Sequence, residues 1–160
     1  MQLRNTVHTY GWLSRVLHWS SVVLVLVIYV DISGLDVPPK LAQRDAVVDR
    51  HVILGSALLG IMCVRLLWRQ FNPNPVHAYA FSAGHRRLAI GAHRGLYALV
   101  IGLCALGLLA HLTTDAAVAM TARDLHDTLA TLLLAFAAAH AVAGVYNQAL
   151  GVAVPRRDDD

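Results

Sequence analysis

Four stretches of this chain, at about residues 12–30, 47–69, 87–112 and 124–150, are each apolar and long enough to cross a lipid bilayer. A hydrocarbon core of roughly 30 Å takes about 20 helical residues to span, and inside it every backbone amide must be satisfied within a helix or a closed barrel. The runs are continuously apolar rather than alternating, which selects helices. Together they use up nearly the whole sequence of 160 residues. The expected fold class is therefore all-α, a four-helix transmembrane bundle. One integral-membrane domain covers residues 1–155, and residues 156–160 form a short charged tail. Composition agrees: with 57% hydrophobic and only 14% charged residues, the chain could not cover a soluble surface of this size. The lipid bilayer is the expected partner, and nucleic acid is not.

Basic residues flanking the spans set the orientation. With the N-terminus in the cytoplasm, Arg4, Arg15, Arg65, Arg69, Arg86, Arg87, Arg94, Arg156 and Arg157 fall on the inner side. Only Lys40, Arg44, Arg50 and Arg123 are then outside. Both termini are expected in the cytoplasm. The first span follows Arg4 and Arg15 as a signal peptide would, but Tyr29-Val30-Asp31-Ile32-Ser33 offers no small-x-small cleavage site, so it reads as a retained span. Of the connections, Asp31 to Asp45 holds Pro38-Pro39 and reads as an irregular outer loop. Phe71 to Gly84 holds Asn72-Pro73-Asn74-Pro75 and reads as extended, and Thr113 to Arg123 is short, with room for one turn of interfacial helix.

Polar residues inside the spans carry the functional signal. Cys63 and Cys104 sit mid-span on different helices without CxxC or CxxCH, which excludes a covalent c-type haem motif and a cysteine zinc site. They read as packing residues. Histidines are costly in hydrocarbon unless their nitrogens are occupied, and this chain places several there. His126 and His140 are fourteen residues apart, almost four turns, so they share a helix face about 21 Å apart. His51 opens the second span at the depth of His126, and His18 lies two turns into the first at the depth of His140. Two histidines from facing helices at one depth form the axial ligation of a b-type haem. The third span holds rivals, His93 at the inner depth and His111 at the outer, and spacing alone does not choose between them. Gly55 and Gly144 each follow a histidine by one turn, and Gly91 and Gly95 flank His93, where a wide macrocycle needs small neighbours. Arg65, fourteen residues after His51 on the same face, is placed to pair with a haem propionate, as are Arg15 and Arg94. Trp12, Trp19 and Trp68 read as interfacial anchors.

These residues form a familiar pattern. Arg15-Val16-Leu17-His18-Trp19 opens the first span, and His51-Val52-Ile53-Leu54-Gly55 opens the second, which ends in Arg65-Leu66-Leu67-Trp68-Arg69. The third carries His93, Tyr97 and Gly107, and the last carries Leu125-His126-Asp127-Thr128-Leu129-Ala130 and His140. Over about residues 8 to 150 the chain resembles the bacterial cytochrome b561 family. The resemblance implies a four-helix bundle of the bacterial inner membrane with two haem b, ligated through iron by His18, His51, His126 and His140, and a family histidine at His93 that is not assigned to iron. Two features depart from the family: Val145-Tyr146-Asn147-Gln148 stands where members often carry a Lys-His-His cluster, and the loop before the fourth span is short. Certain members oxidise superoxide and pass the electron to quinone, and both departures bear on that activity.

The expected function is transmembrane electron transfer by an oxidoreductase or electron carrier, to or from membrane quinone, with ubiquinone as a substrate and a redox protein as a further partner. Two alternatives remain open at this point. One is a haem-bearing membrane anchor for a partner dehydrogenase or hydrogenase. The other is a metal-handling membrane protein built on the same histidines, against which the span interiors lack the carboxylates a cation path would use.

Overall fold

A computed structural model describes residues 2–6, 9–33, 41–72, 75 and 83–149. Four helices account for nearly all of them: α1 (Trp12–Ser33), α2 (Leu41–Phe71), α3 (Ala83–Leu112) and α4 (Ala116–Ala149). All four contain segments long and apolar enough to cross a membrane, as expected for an all-α transmembrane bundle. At 1.5 Å per residue the 22 residues of α1 extend about 33 Å, just the thickness of the hydrocarbon, whereas the 34 residues of α4 extend about 51 Å. The longer helices therefore project beyond the bilayer. The proline-containing parts of the first two connections and the tail 156–160 lie outside the described residues.

The helix ends differ from the sequence expectation in two places. α2 begins at Leu41 rather than near residue 47, so His51 lies almost three turns inside it. The connection expected over Thr113 to Arg123 is only residues 113–115, and 116–123 is continuous with α4. Asp115 explains the second difference. Its Oδ1 accepts from Ala117 N at 2.9 Å and Val118 N at 3.2 Å, satisfying two of the free amides at a helix start. The alanine-rich run behind it has the best intrinsic helix propensity available.

Packing is inside-out relative to a soluble bundle. The buried core is small, formed by Leu58, Met62, Val100, Cys104 and Leu133, while Val30, Ile53, Leu67, Leu88 and Val142 are among many large apolar side chains left exposed. Such a surface is stable only in lipid. Cys104 packs in the core as expected, whereas Cys63 faces outward. At the N-terminal end, Asn5 ties the leading segment to the bundle: its Oδ1 accepts from Gly11 N and Ser14 Oγ, and its Nδ2 donates to the Asn72 carbonyl. Trp68 joins this network by donating from Nε1 to Ser14 Oγ at 3.0 Å, so its N–H is used inside the protein rather than at the headgroups.

The order of packing positions the site. Backbones approach closely between α3 and α4, α1 and α2, and α2 and α3. The pairs α1 with α4 and α2 with α4 lack such close approach, leaving room between them.

Candidate functional site

The two histidine pairs read from the sequence face each other across those looser helix pairs. His51 on α2 and His126 on α4 have ring centroids 5.8 Å apart with planes at 68°. His18 on α1 and His140 on α4 are 6.5 Å apart at 79°. α4 thus supplies one ring to each pair.

At the first pair a cavity of about 230 Å³ opens among all four helices, with Tyr29, Gly55, Cys104, Gly107 and Leu133 in its wall beside both histidines. Voids larger than a water molecule are few in a protein interior, so this one is a constructed space. His126 is oriented by the backbone. Its Nδ1 lies 2.9 Å from the Leu103 carbonyl, which can only accept, so Nδ1 carries the proton and the Nε2 lone pair is free. The ring fits there because position 107 is glycine: a Cβ would come within 3.0 Å of His126 Cε1 and 3.1 Å of Nδ1. At Gly55, one turn beyond His51, a Cβ would meet nothing within 4 Å. His51 Nδ1 is buried and unpaired among the described residues. Beside the cavity, Arg50 pairs with Asp31 at 2.9 Å.

The second pair is organised by Arg65. Its Nη1 donates to Ser21 Oγ at 2.6 Å, its Nη2 donates to His18 Nδ1 at 3.1 Å, and its guanidinium lies 5.4 Å over the Tyr97 ring. A guanidinium only donates, so His18 Nδ1 is the acceptor and the ring's proton sits on Nε2. Bonding a metal through His18 Nε2 therefore requires Arg65 to let go of the ring. No carboxylate is paired with Arg65 among the described residues, and a half-buried guanidinium without an anion is costly. His93 also enters this cluster, its ring 5.1 Å from His140. Its Nδ1 donates to the Ala89 carbonyl at 2.7 Å, one turn back on α3.

The remaining sequence candidates lie elsewhere. Arg15 is exposed and donates from Nε and Nη2 to the Tyr10 carbonyl at 3.1 and 2.9 Å. His111 is exposed at the end of α3. Trp19 stands edge-on to His18 at 5.5 Å but is 63% exposed.

The donor geometry fits an iron porphyrin. Two imidazoles on opposite faces of one metal, with metal–nitrogen bonds near 2.0 Å, have centroids roughly 6.3 Å apart. The separations of 6.5 and 5.8 Å lie on either side of that value, and the 5.1 Å between His93 and His140 is too short for it. Among the described residues no three His, Cys, Asp or Glu side chains gather as a bare metal site. Paired rings with open glycine faces between separated helices suit a flat, wide group better than a naked cation.

Sequence reasoning missed three contributors. Ser21 was legible in part, being a hydroxyl in an apolar span one turn after His18. Gly107 and the Leu103 carbonyl were not, because their role depends on how closely α3 approaches α4.

Comparison with known families gives one result. The family model for prokaryotic cytochrome b561 matches residues 9–154, nearly the whole chain. No curated protein matches it significantly.

Proposed function

From the premise that the chain belongs to the prokaryotic cytochrome b561 family, whose function is transmembrane electron transfer by b haems, we propose that it holds two haem b, each between two histidines. His51 and His126 hold one, and His18 and His140 hold the other. The single observation that carries the reading is the pair of ring separations, 5.8 and 6.5 Å, across the two helix pairs that lack close backbone contact. Bound haem supplies one-electron chemistry, and the chain's part is ligation, burial and spacing.

Each residue has a distinct task. His126 is held in one tautomer by the Leu103 carbonyl and presents Nε2 to the metal. His140 lies almost four turns further along the same face of α4, about 21 Å away, so one helix spaces both sites across the membrane. Arg65 receives a propionate: that carboxylate compensates the guanidinium and draws it from His18 Nδ1, which can then carry the ring proton while Nε2 binds. Arg15 is a second cation at the same end, one that would have to leave the Tyr10 carbonyl to reach a propionate. His93, held by Ala89, packs against His140 as an orienting neighbour.

The electron passes between the two faces of the membrane and is exchanged with the quinone pool. Both termini lie in the cytoplasm of the bacterial cell, on the arginine-rich side. The test uses purified protein in vesicles. A pyridine haemochrome assay should give about two haem b per chain, a reductant confined outside should reduce both, and added ubiquinone should reoxidise them. One haem per chain would overturn the paired assignment. Reduced haems that no quinone reoxidises would overturn the quinone step and point to a protein acceptor.

A further inference from the structure

The arginine-rich end of the bundle has a charge imbalance that the haem sites do not explain. From Arg50 to Thr114 the sequence contains no aspartate or glutamate, and the acidic residues of the first two connections and of α4 sit toward the opposite end. Between α2 and α3 at the arginine-rich end lies a cavity of about 470 Å³, separate from the cavity at His51 and His126. Arg69 and Gln70 from the last turns of α2 and Arg94 and Tyr97 from α3 supply its polar wall, and Leu66 supplies an apolar one. Arg69 is held over the Tyr97 ring at 5.8 Å, which fixes one cation at the rim. Neither Arg69 nor Arg94 has a carboxylate partner among the described residues. Next to this cup, Leu67 and Phe71 are 60% and 77% exposed, an apolar flank that lipid must cover.

We propose that the Arg69–Arg94 cup binds the phosphate of an anionic phospholipid headgroup, with the acyl chains lying on the Leu66, Leu67 and Phe71 flank. Two guanidiniums converging without an acid match a phosphate, whose oxygens accept paired N–H donors. The carbonyl end of α2 is unfavourable to an anion there, so the arginines must outweigh it. The apolar flank selects a lipid over free phosphate. Basic pockets between membrane helices are a general solution for anionic headgroups.

The test is native mass spectrometry of the haem-loaded protein released from detergent, titrated with dioctanoyl phosphatidylglycerol, dioctanoyl phosphatidylcholine or inorganic phosphate. One phosphatidylglycerol should be retained per chain in preference to phosphatidylcholine, and inorganic phosphate at the same concentration should not displace it. Arg69→Gln and Arg94→Gln should each weaken retention about fivefold, and Arg50→Gln at the other end should not. Circular dichroism and the haem spectrum should be unchanged in all three variants. Equal retention of the two lipids, or variants that bind like the parent, would overturn the proposal. Displacement by phosphate would show a free-anion site instead. A changed haem spectrum in the Arg69 or Arg94 variant would show that these arginines serve the haem carboxylates, which refutes the lipid site without touching the histidine assignments.

Discussion

Gly107→Ala puts one methyl group against the ring that the Leu103 carbonyl orients. The new Cβ would stand 3.0 Å from His126 Cε1 and 3.1 Å from Nδ1, closer than carbon tolerates, so the ring or α3 must give by a few tenths of an ångström. The ring's contact with Leu103 is already at 2.9 Å, and turning away from the methyl lengthens or bends it. Losing such a hydrogen bond costs about 1 kcal/mol. In a ligand histidine the bond to Nδ1–H makes the imidazole a stronger donor and favours the oxidised metal. Its loss should therefore raise the potential of the haem held by His126, by at most about 40 mV if the whole 1 kcal/mol is differential, since 59 mV is tenfold for one electron. Stability should change little, because alanine's better helix propensity, about 0.5–1 kcal/mol, opposes the overpacking. The assay is a spectroelectrochemical titration resolving the two haems. Gly102→Ala is the control: on the same helix, its Cβ would meet Leu129 Cδ1 at 3.7 Å, an ordinary contact. If the two variants gave the same potentials, or Gly107→Ala moved the other haem, the role given to Leu103 and His126 would be wrong.

His140→Ala should abolish low-spin ligation of the haem shared with His18, whereas His93→Ala should keep two low-spin haems in the visible and electron-paramagnetic spectra; the reverse result would place the ligand on α3. Arg65→Met should lower the potential of that same haem by on the order of tens of millivolts, since a removed cation no longer favours the reduced metal, and the other haem should not move. Asp115→Ala should cost about 1 kcal/mol of stability, read by denaturation, and speed amide exchange at residues 116–119, because two helix-start amides lose their acceptor. Reporter fusions after Pro155 and within residues 36–42 should read inside and outside respectively.

The four spans were legible because their signal is local: a run of about 20 apolar residues needs no knowledge of its neighbours. The family was legible because its residues, from Arg15-Val16-Leu17-His18-Trp19 to His126, sit at spacings that four helices of fixed rise must keep. The ends of α2 and α4 were not. Charged and polar residues at 41–46 and 116–123 look like loop to a hydropathy reading, yet they are helix, because outside the hydrocarbon a capped helix tolerates polar faces. Trp68 was misread for a related reason, its hydrogen bond to Ser14 depending on a partner 54 residues away. Choosing His140 over His93 was beyond spacing altogether, since both share a depth and differ only in which helix gap they face.

That difference in gaps bears on how the two sites would be tuned. α3 packs closely on α4, so a side chain reaching from α3 meets an α4 histidine edge-on with no space between, as His93 does at 5.1 Å. From that side the chain can orient a ring but has no room for a flat group. α1 and α2 stand away from α4, and their histidines meet His140 and His126 at separations a metal can bridge. On the proposed ligation, α3 therefore acts as the positioning helix for both sites, through His93 at one and the Leu103 carbonyl with Gly107 at the other. The two sites then differ in charge rather than in ligands: one has Arg65 beside it, and the other has Asp31 neutralised by Arg50. A cation favours the reduced metal, so the haem held by His18 and His140 should have the higher potential, and electrons entering at His51 and His126 should run downhill toward the arginine-rich side. A redox titration assigned with His140→Ala would test the order directly, and the opposite order would reverse the favoured direction of transfer.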